Sequence, residues 1–146
     1  PTAEELKRRE AIAQLAAELR KKKVDYAKRP KVKYITASTR EYAYAAYMRG
    51  WSDRVERVGN LNYPEEARRQ GLHGDVLLTV VLNLDGSIKT IEVIQSSGQK
   101  VLDAAAERIV RLAAPFPPAP KSGEHIDELN ITRTWRFQPN NVLQTR

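Results

Sequence analysis

Residues 76–84 most constrain what this chain can fold into. Val76, Leu78, Val80, Leu82 and Leu84 alternate onto one face of an extended segment, with Leu77, Thr79 and Val81 on the other. Asp85-Gly86 halts the run, and a second strand-like run follows at residues 88–95. Glycine accepts the positive φ of a tight turn, so an Asp-Gly pair between two such runs reads as a β-hairpin. Both faces of the first strand are partly apolar, which implies cover on both sides or an associating surface. The run is too short to cross a bilayer and is broken by Thr79 and Asn83. Asn83 and Asp85 do not make a calcium loop, because no glutamate closes a twelve-residue span.

A hairpin needs partners. Downstream, Leu102, Ala105, Ala106, Ile109, Leu112 and Ala113 share one face of a helix predicted over residues 101–113. Pro115-Phe116-Pro117-Pro118 forbids its continuation. In residues 129–137, Leu129, Ile131, Trp135 and Phe137 alternate with Asn130, Thr132, Thr134 and Arg136, as in a strand with an apolar inner side. The last residues are expected to fray or pack loosely.

Upstream, Asn62-Tyr63-Pro64 reads as the entry to a short helix closed by Gly71, since proline tolerates the first helical position. Tyr63 can staple this entry inward or present its ring outward. Before it, Ser38-Thr39-Arg40-Glu41 has capping-box spacing. Tyr44, Tyr47, Met48, Trp51, Val55 and Val58 then fall at steps of three and four, with Gly59 as the expected stop. At that spacing the aromatics form a core face rather than a base-stacking platform. Thr2-Ala3-Glu4-Glu5 starts a first helix with the same capping pattern, ended by Arg29-Pro30. Its stripe of Leu6, Ile12, Leu15, Ala16 and Leu19 is narrow and lacks a sustained heptad, which favours a mobile or laterally packed helix over a coiled coil. Residues 31–36 read as an extended connector.

The implied organisation is a polar helix and connector (1–36), an amphipathic helix (37–59) and a C-terminal domain (60–146). The fold class is α+β: a small three-stranded antiparallel sheet packed by a helix, preceded by two N-terminal helices. The net charge of +7, from 25 basic and 18 acidic residues, is spread along the chain without a recognised nucleic-acid motif, so it solvates helix faces. With no cysteine and only His73 and His125, the sequence supplies neither a zinc ligand set nor a triad beside a nucleophile elbow. No phosphate loop is present either. No catalytic residue, metal or cofactor is expected. The chain begins at Pro1 without a signal peptide, which suggests a piece of something longer.

In order and wording, residues 60–137 resemble the C-terminal domain of the TonB family, the periplasmic energy transducers of Gram-negative bacteria. The resemblance is carried by Tyr63-Pro64 with its short basic helix, the strand from Gly74 to the Asp85-Gly86 turn, Val93-Ile94 before Ser96-Ser97-Gly98, and Phe116-Pro117-Pro118. It implies a non-enzymatic domain that grips the TonB box of outer-membrane receptors by β-augmentation. It also implies a periplasmic location, and a parent protein anchored in the inner membrane by a helix that meets the ExbB–ExbD motor. The implied partner surface is Asn60, Asn62, Tyr63 and Pro64, with the Tyr63 ring outward. Beside it would lie an edge strand carrying Asn130, Ile131, Thr132, Arg133, Thr134 and Trp135. A homodimer is compatible with this picture, and nucleic acid is not among its partners. Two rival classes are a TolA-like periplasmic adaptor, against which the Tyr-Pro pair and the Ser-Ser-Gly argue, and a basic nucleic-acid-binding domain.

Overall fold

The computed structural model describes residues 2–146 and divides into two compact units, residues 1–30 and 31–146. The first is one helix, α1 (Ala3–Ala27), capped as its sequence predicts: Thr2 Oγ1 accepts from the Glu5 N–H at 3.2 Å. None of its residues is buried, and Leu6, Ile12, Leu15 and Leu19 are all exposed. No helix among the described residues is long and apolar enough to cross a membrane.

The second unit is α+β, as the hydrophobic pattern indicates. Its elements are β1 (Val32–Ile35), α2 (Tyr42–Leu61), α3 (Glu65–Gln70), β2 (Gly74–Asn83), β3 (Ile88–Gln95), α4 (Lys100–Ala113), β4 (Glu128–Phe137) and β5 (Leu143–Thr145). The sheet has five strands rather than three. Its order is β1-β4-β2-β3, with β5 also on β4. The expected antiparallel trio β3-β2-β4 forms its body. The supposed connector at residues 31–36 supplies β1, which pairs parallel with β4 from Val32↔Glu128 to Ile35↔Ile131. The supposed fraying tail supplies β5, antiparallel from Phe137↔Leu143 to Trp135↔Thr145. Each short segment contributes one fully enclosed aliphatic side chain, Ile35 and Leu143, and that burial is what fastens it.

Val76, Leu78, Val80 and Leu82 of β2, with Leu129, Ile131, Trp135 and Phe137 of β4, pack against Leu102, Ala105, Ala106, Ile109, Val110 and Ala113 of α4. Met48, Trp51 and Val55 of α2 join the same core, where the Trp51 ring meets Trp135 edge-on and stacks on Phe116. The opposite face of the sheet is more polar, with Thr79 and Thr132 joined by a 2.8 Å hydrogen bond between their hydroxyls.

Two helix-end predictions fail for stated reasons. The Ser38–Glu41 box does not cap α2. Instead the Thr36 N–H donates to the Thr39 hydroxyl and the Thr36 hydroxyl pairs with that of Ser38, so the hydroxyls build a turn and the helix starts at Tyr42. Gly59 does not end α2, which runs on to Leu61. The short helix after Tyr63-Pro64 does close at Gly71, whose φ of +64° is the left-handed conformation of a helix stop.

Candidate functional site

The last two turns of α2 bring Glu56, Gly59 and Asn60 onto one side of the helix, three and four residues apart. That side faces β5. In the antiparallel ladder with β4, Thr134 and Arg146 exchange both backbone hydrogen bonds, at 2.7 and 2.8 Å. Hydrogen-bonded and non-bonded pairs alternate, so the polar groups of Leu143 and Thr145 point away from β4. They meet side chains instead. Asn60 Oδ1 accepts from the Leu143 N–H at 2.8 Å, and Asn60 Nδ2 donates to the Leu143 carbonyl at 3.2 Å. Glu56 Oε1 accepts from both the N–H and the hydroxyl of Thr145, at 2.7 and 3.1 Å. Arg133 Nη2 donates to the Thr145 carbonyl at 3.0 Å.

Three side chains therefore complete the outer edge of an extended strand, as a neighbouring strand would. Burial lowers the pKa of the Arg133 guanidinium, and the nearby Glu56 carboxylate opposes that shift. Arg133 Nε is buried with no protein partner. The Leu143 side chain fills the space beside Gly59, where a Cβ would overlap it.

At the other end of the same edge of β4 lies β1. Lys31 N–H donates to Asp127 Oδ2 at 2.9 Å, and Asp127 N–H donates to the Lys31 carbonyl at 2.8 Å. Lys33 Nζ bonds Glu41 and Glu124 at 3.1 and 3.3 Å, and these contacts raise its pKa against a smaller burial effect. β1 and β5 thus lie end to end along β4, covering residues 128–131 and 135–137.

The structure corrects two expectations, the free edge at β4 and the outward Tyr63 ring. β4 is not a free edge, because β2 flanks one side and β1 and β5 share the other. Of its expected contact residues, Ile131 and Trp135 are core, Arg133 also faces the core side and reaches Thr145, and Asn130, Thr132 and Thr134 are half-buried. Tyr63 is 5 % exposed, and its ring packs edge-on against Phe137 at 5.9 Å. The ring faces inward because that contact removes a large apolar surface from water, while its hydroxyl stays buried without a protein partner. Pro64 is buried as well. Asn62 is exposed and folds back onto the Val58 carbonyl at 2.8 Å, finishing α2. Of the four residues expected around the Tyr-Pro pair, only Asn60 reads an extended strand. Sequence reasoning missed Glu56, Gly59, Leu143 and Thr145. The i, i+3, i+4 spacing of Glu56, Gly59 and Asn60 was the available signal, but nothing local ties it to a strand more than eighty residues away.

The family model described as Gram-negative bacterial TonB protein C-terminal matches residues 59–139. Over 64 residues the chain is 34% identical to the protein named Protein TonB of Helicobacter pylori, covering 44% of this chain and 22% of that protein. Over 70 residues it is 36% identical to Protein TonB of Pseudomonas putida, covering 47% of this chain and 29% of that one. The match thus spans less than a third of either relative. The solution structure of the Helicobacter pylori TonB C-terminal domain aligns with a TM-score of 0.47 at 22% identity, covering 68% of this chain and 96% of that one.

Proposed function

The chain belongs to the family of Gram-negative bacterial TonB C-terminal domains, and from that premise we propose that it is the receptor-gripping part of an energy transducer rather than an enzyme. It takes the TonB box of an outer-membrane transporter as an added strand on β4 and passes on force derived from the inner-membrane proton gradient. The domain works in the periplasm, and its parent is anchored in the inner membrane, where it meets ExbB–ExbD. Backbone pairing is tolerant of sequence, which suits one transducer to several receptors. Hydrogen bonds along a strand also share a load applied along it.

One observation carries the reading: the edge of β4 beside α2 is already equipped to hold an extended segment on both of its backbone edges. Thr134 holds one edge and Asn60, Glu56 and Arg133 hold the other. β5, three residues long, occupies that seat in the free chain. A TonB box enters by displacing it and pairing with residues 134–137. Asn60 and residues 133–135 then belong to the partner surface, while Tyr63 and Pro64 support it from beneath. Asn62 flanks it, Asn130 and Ile131 stay paired with β1, and Thr132 lies between the two short strands.

The test is an NMR titration of the full chain with a synthetic TonB-box peptide. The Leu143 and Thr145 amides are expected to lose protection from exchange while Thr134 and Arg136 keep theirs. Unchanged β5 signals with every box peptide tried would sink the proposal.

A further inference from the structure

The seat of β5 is not blind to sequence. Two of the three residues it holds are enclosed: Leu143 is 1 % and Thr145 6 % exposed, whereas Gln144 between them is exposed. Leu143 enters a slot that exists because α2 carries glycine at position 59, and Ile109 lies against the same spot. Thr145 is recognised twice by one oxygen, since Glu56 Oε1 takes both its N–H and its hydroxyl. Hydrogen bonds to a charged acceptor are stronger than neutral ones, and the half-buried Glu56 carboxylate loses a partner where the hydroxyl is missing.

We infer that the strand-binding seat selects a partner segment carrying a bulky aliphatic residue followed, two positions on, by threonine or serine. Gly59 and Ile109 read the first position and Glu56 the second. The intervening residue is free, because it faces solvent. Asn60 and Arg133 hold backbone groups, so they fix the register of the segment without choosing its side chains. The inference rests on the proposal that an incoming segment takes the place of β5. The resident sequence Leu143-Gln144-Thr145 shows one solution that the seat accepts.

The experiment uses the full chain carrying Leu143→Ala and Thr145→Val, which holds its own strand poorly. Its probe is the capped hexapeptide Asn-Val-Leu-Gln-Thr-Arg, the sequence of residues 141–146, followed by NMR at the Thr134 amide and the Asn60 side chain. Replacing the peptide leucine by alanine is expected to weaken binding at least tenfold, as loss of a buried isobutyl group implies. Replacing its threonine by valine is expected to weaken binding about tenfold, and by serine less than about threefold. Glu56→Gln should shrink the threonine-to-valine difference. If the double variant does not fold, the single variant Thr145→Val keeps the Leu143 anchor and reports the hydroxyl preference alone. Equal affinity for all four peptides at the β4 edge overturns the selectivity and leaves strand addition standing. So does failure of the hexapeptide where a TonB-box peptide binds. If neither binds at that edge, both ideas fall.

Discussion

Gly59 is buried in the last turn of α2, where Leu143 occupies the volume that a side chain would need. Gly59→Ala gains helix propensity, about 1 kcal/mol, but pushes Leu143 from its slot, and overpacking of this kind costs about 1–3 kcal/mol. The single variant is therefore expected to lose about 1 kcal/mol, and its Leu143 amide to exchange faster. In a Leu143→Ala background the same change should be neutral or favourable. Urea melts of the four proteins form the cycle, and additive effects would show that the two residues are not coupled.

Tyr63 separates support from contact. Its ring is enclosed against Phe137, with Arg68 over the ring at 5.9 Å, and burial raises the pKa of its hydroxyl while Arg68 lowers it. Tyr63→Ala should cost about 3–5 kcal/mol as a cavity substitution. Tyr63→Phe removes a hydroxyl with no protein partner and should be neutral or slightly stabilising. Denaturant melts read both. A large loss in Tyr63→Phe would reveal a polar contact at that hydroxyl.

These outcomes mark what was legible in the sequence. Alternation in β2 and β4, the Asp85-Gly86 turn and the apolar face of α4 are local signals, and each lies where its periodicity puts it except at Leu84, which falls beyond β2, and Leu112, both of which are exposed. β1 and β5 are four and three residues long, and short segments carry too little pattern to reveal their pairing. They become strands only because β4 offers an edge and the core offers room for Ile35 and Leu143. The site was half legible for the same reason. Asn60 lies within the family's wording, but its partner is brought to it by tertiary structure.

The Ser96-Ser97-Gly98 turn predicts an acid-sensitive step. Burial pushes the Asp103 carboxyl up, but hydrogen bonds from the Ser96 and Ser97 hydroxyls and from the Ser97 N–H together hold its pKa below the ordinary value. The folded state therefore binds this proton less readily than the unfolded chain. The contribution is complete above the unfolded value, about 4, and is lost as pH falls through the folded pKa. Melts from pH 6 to pH 2 should show wild type losing stability relative to Asp103→Asn across that window. Parallel profiles would mean that the turn is indifferent to the charge.

Two truncations probe where the second unit begins. α1 has no buried residue, so removing residues 1–30 takes away no core, and the remaining chain should melt cooperatively near the temperature of the whole. Removing residues 1–36 also deletes β1. That withdraws Ile35 from the core, opens residues 128–131 of β4, and strips the Lys31–Asp127 contacts that tie the strand down. Losing one enclosed isoleucine alone costs about 3 kcal/mol, which for a chain of this size corresponds to a fall of roughly 10 °C in Tm. The loss of strand pairing adds to it. Circular dichroism melts of the three lengths decide the matter. A fall already present on removing residues 1–30 would make α1 part of the cooperative unit, whereas equal melting of both truncations would mean that β1 is only loosely held.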